Sequence, residues 1–61
     1  MTVSVVINDA SQVAEARRVA AALASQNGFG ETDSGRVALV ATELGSNVIK
    51  HAGGGEMLIG T

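Results

Sequence analysis

Two apolar periodicities follow one another along these 61 residues, and the points where one gives way to the other set the order of elements. Val3, Val5 and Ile7 recur at every second residue, the pattern of a strand with one buried face. Asn8-Asp9 interrupts it, and the period then lengthens to that of a helix through Val13, Ala16, Ala20, Leu23 and Ala24. Asp9 suits the N-cap, and Gln12 stands three residues later in the reciprocal position of a capping box. The spacing predicts a helix over about 10–26, rich in alanine and able to approach a neighbour closely. Asn27-Gly28 ends it, with Gly28 suited to a left-handed cap. Phe29, the single aromatic, is expected to anchor the following loop by tucking under the helix pair.

A second helical period opens after Thr32 or Asp33, either of which can cap it, and continues to about His51. Val37, Ala41, Leu44, Val48 and Ala52 define its core face, widened by Ala38, Gly45 and Ile49. Gly45 in mid-helix costs about 1 kcal/mol relative to alanine, which predicts a tight contact with a neighbouring element. Gly53-Gly54-Gly55 terminates this helix, and 56–61 reads as a second strand with Met57 and Ile59 on one face. The expectation is an α+β layer in the order strand–helix–helix–strand, without internal repeat, linker or domain boundary. Two strands alone make a weak sheet in water, and an apolar unpaired edge invites another chain. Either the chain is a piece of a longer protein, or two copies complete each other's sheet as a homo-oligomer.

Composition bounds the rest. A chain of 6.1 kDa buries only ~60% of its extended surface and is marginal without staples or partners. There is no cysteine for disulfides, and a single histidine argues against a zinc cage. The net charge is −2, and Arg17, Arg18, Arg36 and Lys50 form no basic run, so neither nucleic acid nor an anionic membrane is an expected partner. The apolar opening is too short to span a bilayer and lacks the features of a secretory signal. A soluble, cytoplasmic protein is expected.

One polar constellation stands out in the second helix. At about 100° per residue, Asn47 lies roughly 40° from Glu43 and Lys50 roughly 20° to the other side. A carboxylate, a carboxamide oxygen and an ammonium thus share a narrow wedge, flanked by Leu39 and Val40, with Arg36 on the same side. Such a trio suits the phosphates and magnesium of a nucleotide. It also suits a merely solvated face, although a mid-helix asparagine is a mediocre helix former that a solvated position does not require.

The run Glu43-Leu44-x-x-Asn47-x-x-Lys50-His51-Ala52 followed by glycines resembles the N-box of the GHKL (Bergerat-fold) ATPases. It is most similar to the anti-sigma-factor and switch serine/threonine kinases of bacterial partner-switching pathways. Ala16-Arg17, Gly28-Phe29-Gly30, Asp33, Ala41-Thr42-Glu43-Leu44 and Ala52-Gly53-Gly54-Gly55-Glu56 extend the similarity over essentially all 61 residues. The surroundings of Glu43-Leu44 and Ala52-Gly53 fit the catalytic domain of a sensor histidine kinase less well.

The resemblance implies a partial histidine kinase-like ATPase domain over 1–61, the amino-terminal half of a Bergerat-type α/β sandwich. It implies ATP and Mg2+ as cofactors, Glu43 as catalytic base and Asn47 as magnesium ligand. Lys50 and His51 would face the phosphates, and Gly53 and Gly54 would allow close backbone approach. The implied partner is a STAS-domain anti-sigma antagonist as phosphoryl acceptor, or a sigma factor. No Asp-x-Gly-x-Gly box and no lid occur in these residues, so the chain alone is expected to be inactive and to bind ATP weakly. The alternative is a non-enzymatic interaction module that uses the exposed strand edge and the alanine-rich first helix. Each site residue also has a structural explanation: His51 and Lys50 complement the helix dipole or face water, and the glycines end the helix.

Overall fold

The computed structural model describes residues 1–60, in the order β1 (Thr2–Ile7), α1 (Ala10–Gln26), α2 (Glu31–Ala52) and β2 (Gly55–Gly60). The strands pair antiparallel, with Val3 opposite Ile59, Val5 opposite Met57 and Ile7 opposite Gly55. The period-two pattern sends these residues to one face of the sheet, where both helices cover it. Val5 and Ile7 are buried with Val13 and Ala16 of α1, and Val48, Ile49, Met57 and Ile59 pack around them. The opposite face of the sheet is bare: Thr2, Ser4, Val6, Glu56, Leu58 and Gly60 are all exposed. This is the expected α+β strand–helix–helix–strand arrangement; Thr61, placed by the sequence reading in the last strand, lies outside the described residues.

Local chemistry accounts for most of the boundaries. The Asp9 carboxylate accepts from the backbone N–H groups of Ser11 and Gln12 and from the Ser11 hydroxyl. The Gln12 side chain in turn accepts from the N–H groups of Asn8 and Asp9, completing the capping box. At the other end of α1, Gly28 adopts φ +84°, and the Phe29 N–H reaches back to the Ala24 carbonyl at 3.0 Å.

Three expectations need correction. The second helix starts at Glu31, and its N-cap is Gly30 rather than Thr32 or Asp33, with no side-chain cap hydrogen bond. Glu31 and Asp33 fall instead in the first turn, where their negative charge complements the free N–H groups. Phe29 is not an anchor under the helices; it is half exposed. The buried residues of the helices are Val13, Ala16, Ala20, Leu23 and Ala24 of α1 and Ala41 and Gly45 of α2, and they pack without an aromatic wedge. Finally, Leu44 is 52% exposed and Ala52 is exposed, so the core face of α2 is narrower than its periodicity suggested. Ala41 and Gly45 are its buried line, flanked by half-buried Val37, Ala38, Val48 and Ile49. A two-stranded sheet is too narrow to cover the whole apolar flank of a 22-residue helix.

Candidate active site

The carboxy-terminal half of α2 and the glycine turn after it carry the residues singled out from the sequence. The helix is held there from one side only, by Gly45 against Val13 and by half-buried Val48 and Ile49. Relative to Glu43, Gly45 is rotated by about 200° and Ala41 by about 160°. The wedge of Glu43, Asn47 and Lys50 therefore points directly away from the core, and all three side chains are exposed. Leu39 and Val40 beside them are 58% and 53% exposed. The structure thus brings Glu43, Asn47 and Lys50 to one side of α2 but does not sink them into a hollow.

His51 and Lys50 occupy the last turn of α2, opposite in sign to the carbonyl end of the helix and matching the acidic first turn. Gly53 then takes φ +70°, its N–H donating to the Ile49 carbonyl at 3.1 Å, while the Gly54 N–H donates to Val48 at 3.3 Å. Gly54 has φ +128° and passes so close to Asn8 that an added Cβ would stand 2.6 Å from Asn8 Oδ1 and 3.2 Å from the Ile7 carbonyl. The turn after α2 is thereby seated on the junction between β1 and α1. Asn8 is a residue that the sequence pattern marks only as a strand breaker, and nothing local announces its contact with a glycine 46 positions away.

The donor set can be tested against the chemistry that the resemblance implies. No group of three or more His, Cys, Asp or Glu side chains is assembled to hold a metal among the described residues. A magnesium ion carried on nucleotide phosphates does not need one, because phosphate oxygens and water fill most of its octahedron and one or two protein oxygens complete it. Asn47, solvent-facing and one helical turn from Glu43, fits that single-oxygen role. Lys50 and the backbone of Gly53-Gly54 stand within the next two turns of chain. Apolar hollows lie round a different edge, between α1, α2 and the end of β2, and contain none of these residues. No helix of the described residues is long and apolar enough to cross a membrane.

Comparison with protein-family models matches residues 6–59 to the one described as a histidine kinase-like ATPase domain. The matched stretch contains Glu43, Asn47, Lys50, His51 and both turn glycines. No curated protein and no solved structure gives a match.

Proposed function

Because the chain belongs to the histidine kinase-like ATPase domain family, we propose that it supplies the magnesium–phosphate side of an ATP site in a serine/threonine kinase. ATP is the nucleotide of such domains; the finer assignments are this reading's own. Asn47 would offer its side-chain oxygen to the metal that the phosphates carry. Glu43, one turn earlier, would accept the proton of a serine or threonine hydroxyl as that oxygen bonds to the terminal phosphorus and the phosphorus–bridging-oxygen bond breaks, ADP leaving with the electron pair. A single positioned carboxylate is adequate, since phosphoryl transfer depends mainly on alignment and charge stabilisation. Lys50 and His51 would meet phosphate charge, with the backbone of Gly53 and Gly54 approaching closely. The acceptor in this reading is a STAS-type regulatory domain, or the output is control of a sigma factor, in the cytoplasm.

The observation that carries the reading is the common orientation of Glu43 and Asn47 on a helix whose packing does not need either. These 61 residues contain no Asp-x-Gly-x-Gly sequence, so they hold the phosphate contacts without a base-reading pocket. Weak binding and no transfer by this chain follow, because few contacts remain to offset the cost of association. Backbone-amide NMR during titration with ATP, with and without Mg2+, tests it. Magnesium-dependent shifts at Asn47, Lys50, Gly53 and Gly54, saturating only at millimolar nucleotide and abolished by Asn47→Ala, are expected. Shifts absent from that region would overturn the site, and micromolar affinity would overturn the claim that this chain is silent alone.

The exposed edge of β2 and the apolar hollow beside it favour a second reading, an interaction module without catalysis. In that case Glu43→Ala and Asn47→Ala leave regulatory output intact in the cell; loss of output in both variants removes this alternative.

A further inference from the structure

Asn27-Gly28 closes α1, and the pair carries chemistry that neither its capping role nor the nucleotide reading uses. Of the three asparagines it is the one followed by glycine; Asp9 follows Asn8, and Val48 follows Asn47. Glycine has no side chain to obstruct attack by its nitrogen on the preceding carboxamide. We propose that Asn27 is a site of spontaneous intramolecular deamidation, released when the last turn of α1 opens.

The bonds involved are few. The Gly28 nitrogen gives up its proton to solvent base and bonds to Asn27 Cγ. The Cγ–Nδ2 bond then breaks, the departing nitrogen keeps the electron pair and takes a proton from water, and ammonia leaves behind a five-membered succinimide. Water opens that ring at either carbonyl. One opening gives aspartate, the other isoaspartate with the main chain routed through the side chain. Water is the only co-reactant consumed.

The folded cap opposes each requirement. Asn27 Nδ2 donates to the Leu23 carbonyl at 2.7 Å, which turns the carboxamide back along α1. The Gly28 N–H is committed to the Ser25 carbonyl at 3.1 Å, and the Phe29 N–H to the Ala24 carbonyl at 3.0 Å. Ring closure needs Cβ and the Gly28 nitrogen on one side of the Asn27 Cα–C bond. The ψ of 18° instead places that nitrogen nearly over the Asn27 nitrogen. Reaction therefore waits for local opening, and helix ends are where opening is easiest. Asn27, Gly28 and Phe29 are all exposed, and nothing lies within 4 Å of where a Gly28 Cβ would stand, so an opened cap meets no obstacle. Asn47, by contrast, is locked inside the 22-residue α2 with a β-branched residue after it.

The product cannot rebuild the cap. A carboxylate replaces the Nδ2 donor to Leu23 and sets negative charge beside the carbonyl end of α1, where it is repelled. In isoaspartate the added main-chain methylene also moves the Gly28 and Phe29 N–H groups off Ser25 and Ala24. The step is one-way and loosens the α1–α2 connection beside the hollow that Asn27 and Phe29 line with Leu23 and Val37.

Prolonged incubation of the chain without nucleotide, followed by peptide mass spectrometry and labelling by a protein isoaspartyl methyltransferase, tests this separately from the ATP reading. Isoaspartate at Asn27 is expected in the folded chain, forming faster in mildly alkaline than in neutral buffer because the nitrogen attacks as its anion. In urea that unfolds the chain, conversion should quicken at least about tenfold, the factor corresponding to about 1.4 kcal/mol of cap opening. Asn27→Gln keeps a carboxamide but requires a larger ring, and should abolish the product while circular dichroism stays unchanged. Amide exchange at Gly28 and Phe29 should be faster in the converted chain. Equal rates with and without urea, conversion confined to urea, or isoaspartate at Asn8 or Asn47 in place of Asn27 would overturn the proposal.

Discussion

Gly45 of α2 lies against Val13 of α1 so closely that a Cβ built on the glycine would stand 3.2 Å from Val13 Cγ1 and 3.3 Å from Cγ2. Both residues are buried, and a β-branched valine on a helix has little rotameric freedom to retreat. Gly45→Ala gains about 1 kcal/mol of helix propensity but forces an overpacked contact that costs about 1–3 kcal/mol. A net loss of about 1 kcal/mol is expected by urea denaturation. In a Val13→Ala background the contact is gone and the same change becomes stabilising. A stabilising Gly45→Ala in the native background would mean that the helices part easily there.

The two turn glycines differ in what they demand. Gly53 has φ +70° with open space around it, so Gly53→Asn meets only the modest cost of the left-handed region, and Gly53→Ala about 1 kcal/mol. Gly54 has φ +128° and sits on Asn8 and the Ile7 carbonyl. Gly54→Ala combines backbone strain of about 1–3 kcal/mol with a clash against that junction. Thermal melts are therefore expected to rank Gly53→Asn above Gly53→Ala and both well above Gly54→Ala. Equal melting temperatures for the two alanine variants would show that the turn is not fixed on Asn8.

The Asp9 carboxyl is held below its usual value, first by the Ser11 hydroxyl and then by the Gln12 and Ser11 backbone N–H groups. Because the folded value is the lower one, the capping contribution is fully present above the unfolded aspartate value near 4 and is lost as pH falls through the folded value. Helical signal and melting temperature are thus expected to decline on acidification below about pH 4, with Asp9→Asn flattening that part of the profile and Asp9→Ala lowering stability at neutral pH. An unchanged acid profile in Asp9→Asn would assign the acid sensitivity to another group.

What could be read from the sequence was local. The alternation of Val3, Val5 and Ile7, the Asp9–Gln12 pair and the cost of Gly45 each carry their structural reason within a few residues, and each is found in place. The errors came where the outcome depends on how much surface the rest of the molecule offers. Leu44 and Ala52 fit the periodicity of a core face but project past a sheet only two strands wide. Phe29 is apolar enough to be an anchor, yet it stays half exposed at the rim of an apolar hollow that it shares with Leu23, Ala24 and Val37. The site was legible as an angular relationship on one helix, whereas its exposure and the approach of Gly54 to Asn8 depend on tertiary packing that no spacing encodes.

The ligand reading of Glu43 and Asn47 makes a claim about stability as well as binding. If both side chains exist for a ligand, removing them should not weaken the fold, since neither is buried and Ala41 and Gly45 carry the packing of this segment. Asparagine is also among the poorer interior helix residues and alanine the best, by up to about 0.7 kcal/mol. Asn47→Ala is therefore expected to raise stability by a few tenths of a kcal/mol, a gain of a few degrees in a domain of this size. Glu43→Ala should stay within about 0.5 kcal/mol of the parent, as surface changes do. Thermal and urea denaturation of the two variants check this directly. A loss above about 1 kcal/mol in either would make that residue a structural one and remove the reason for assigning it to a nucleotide.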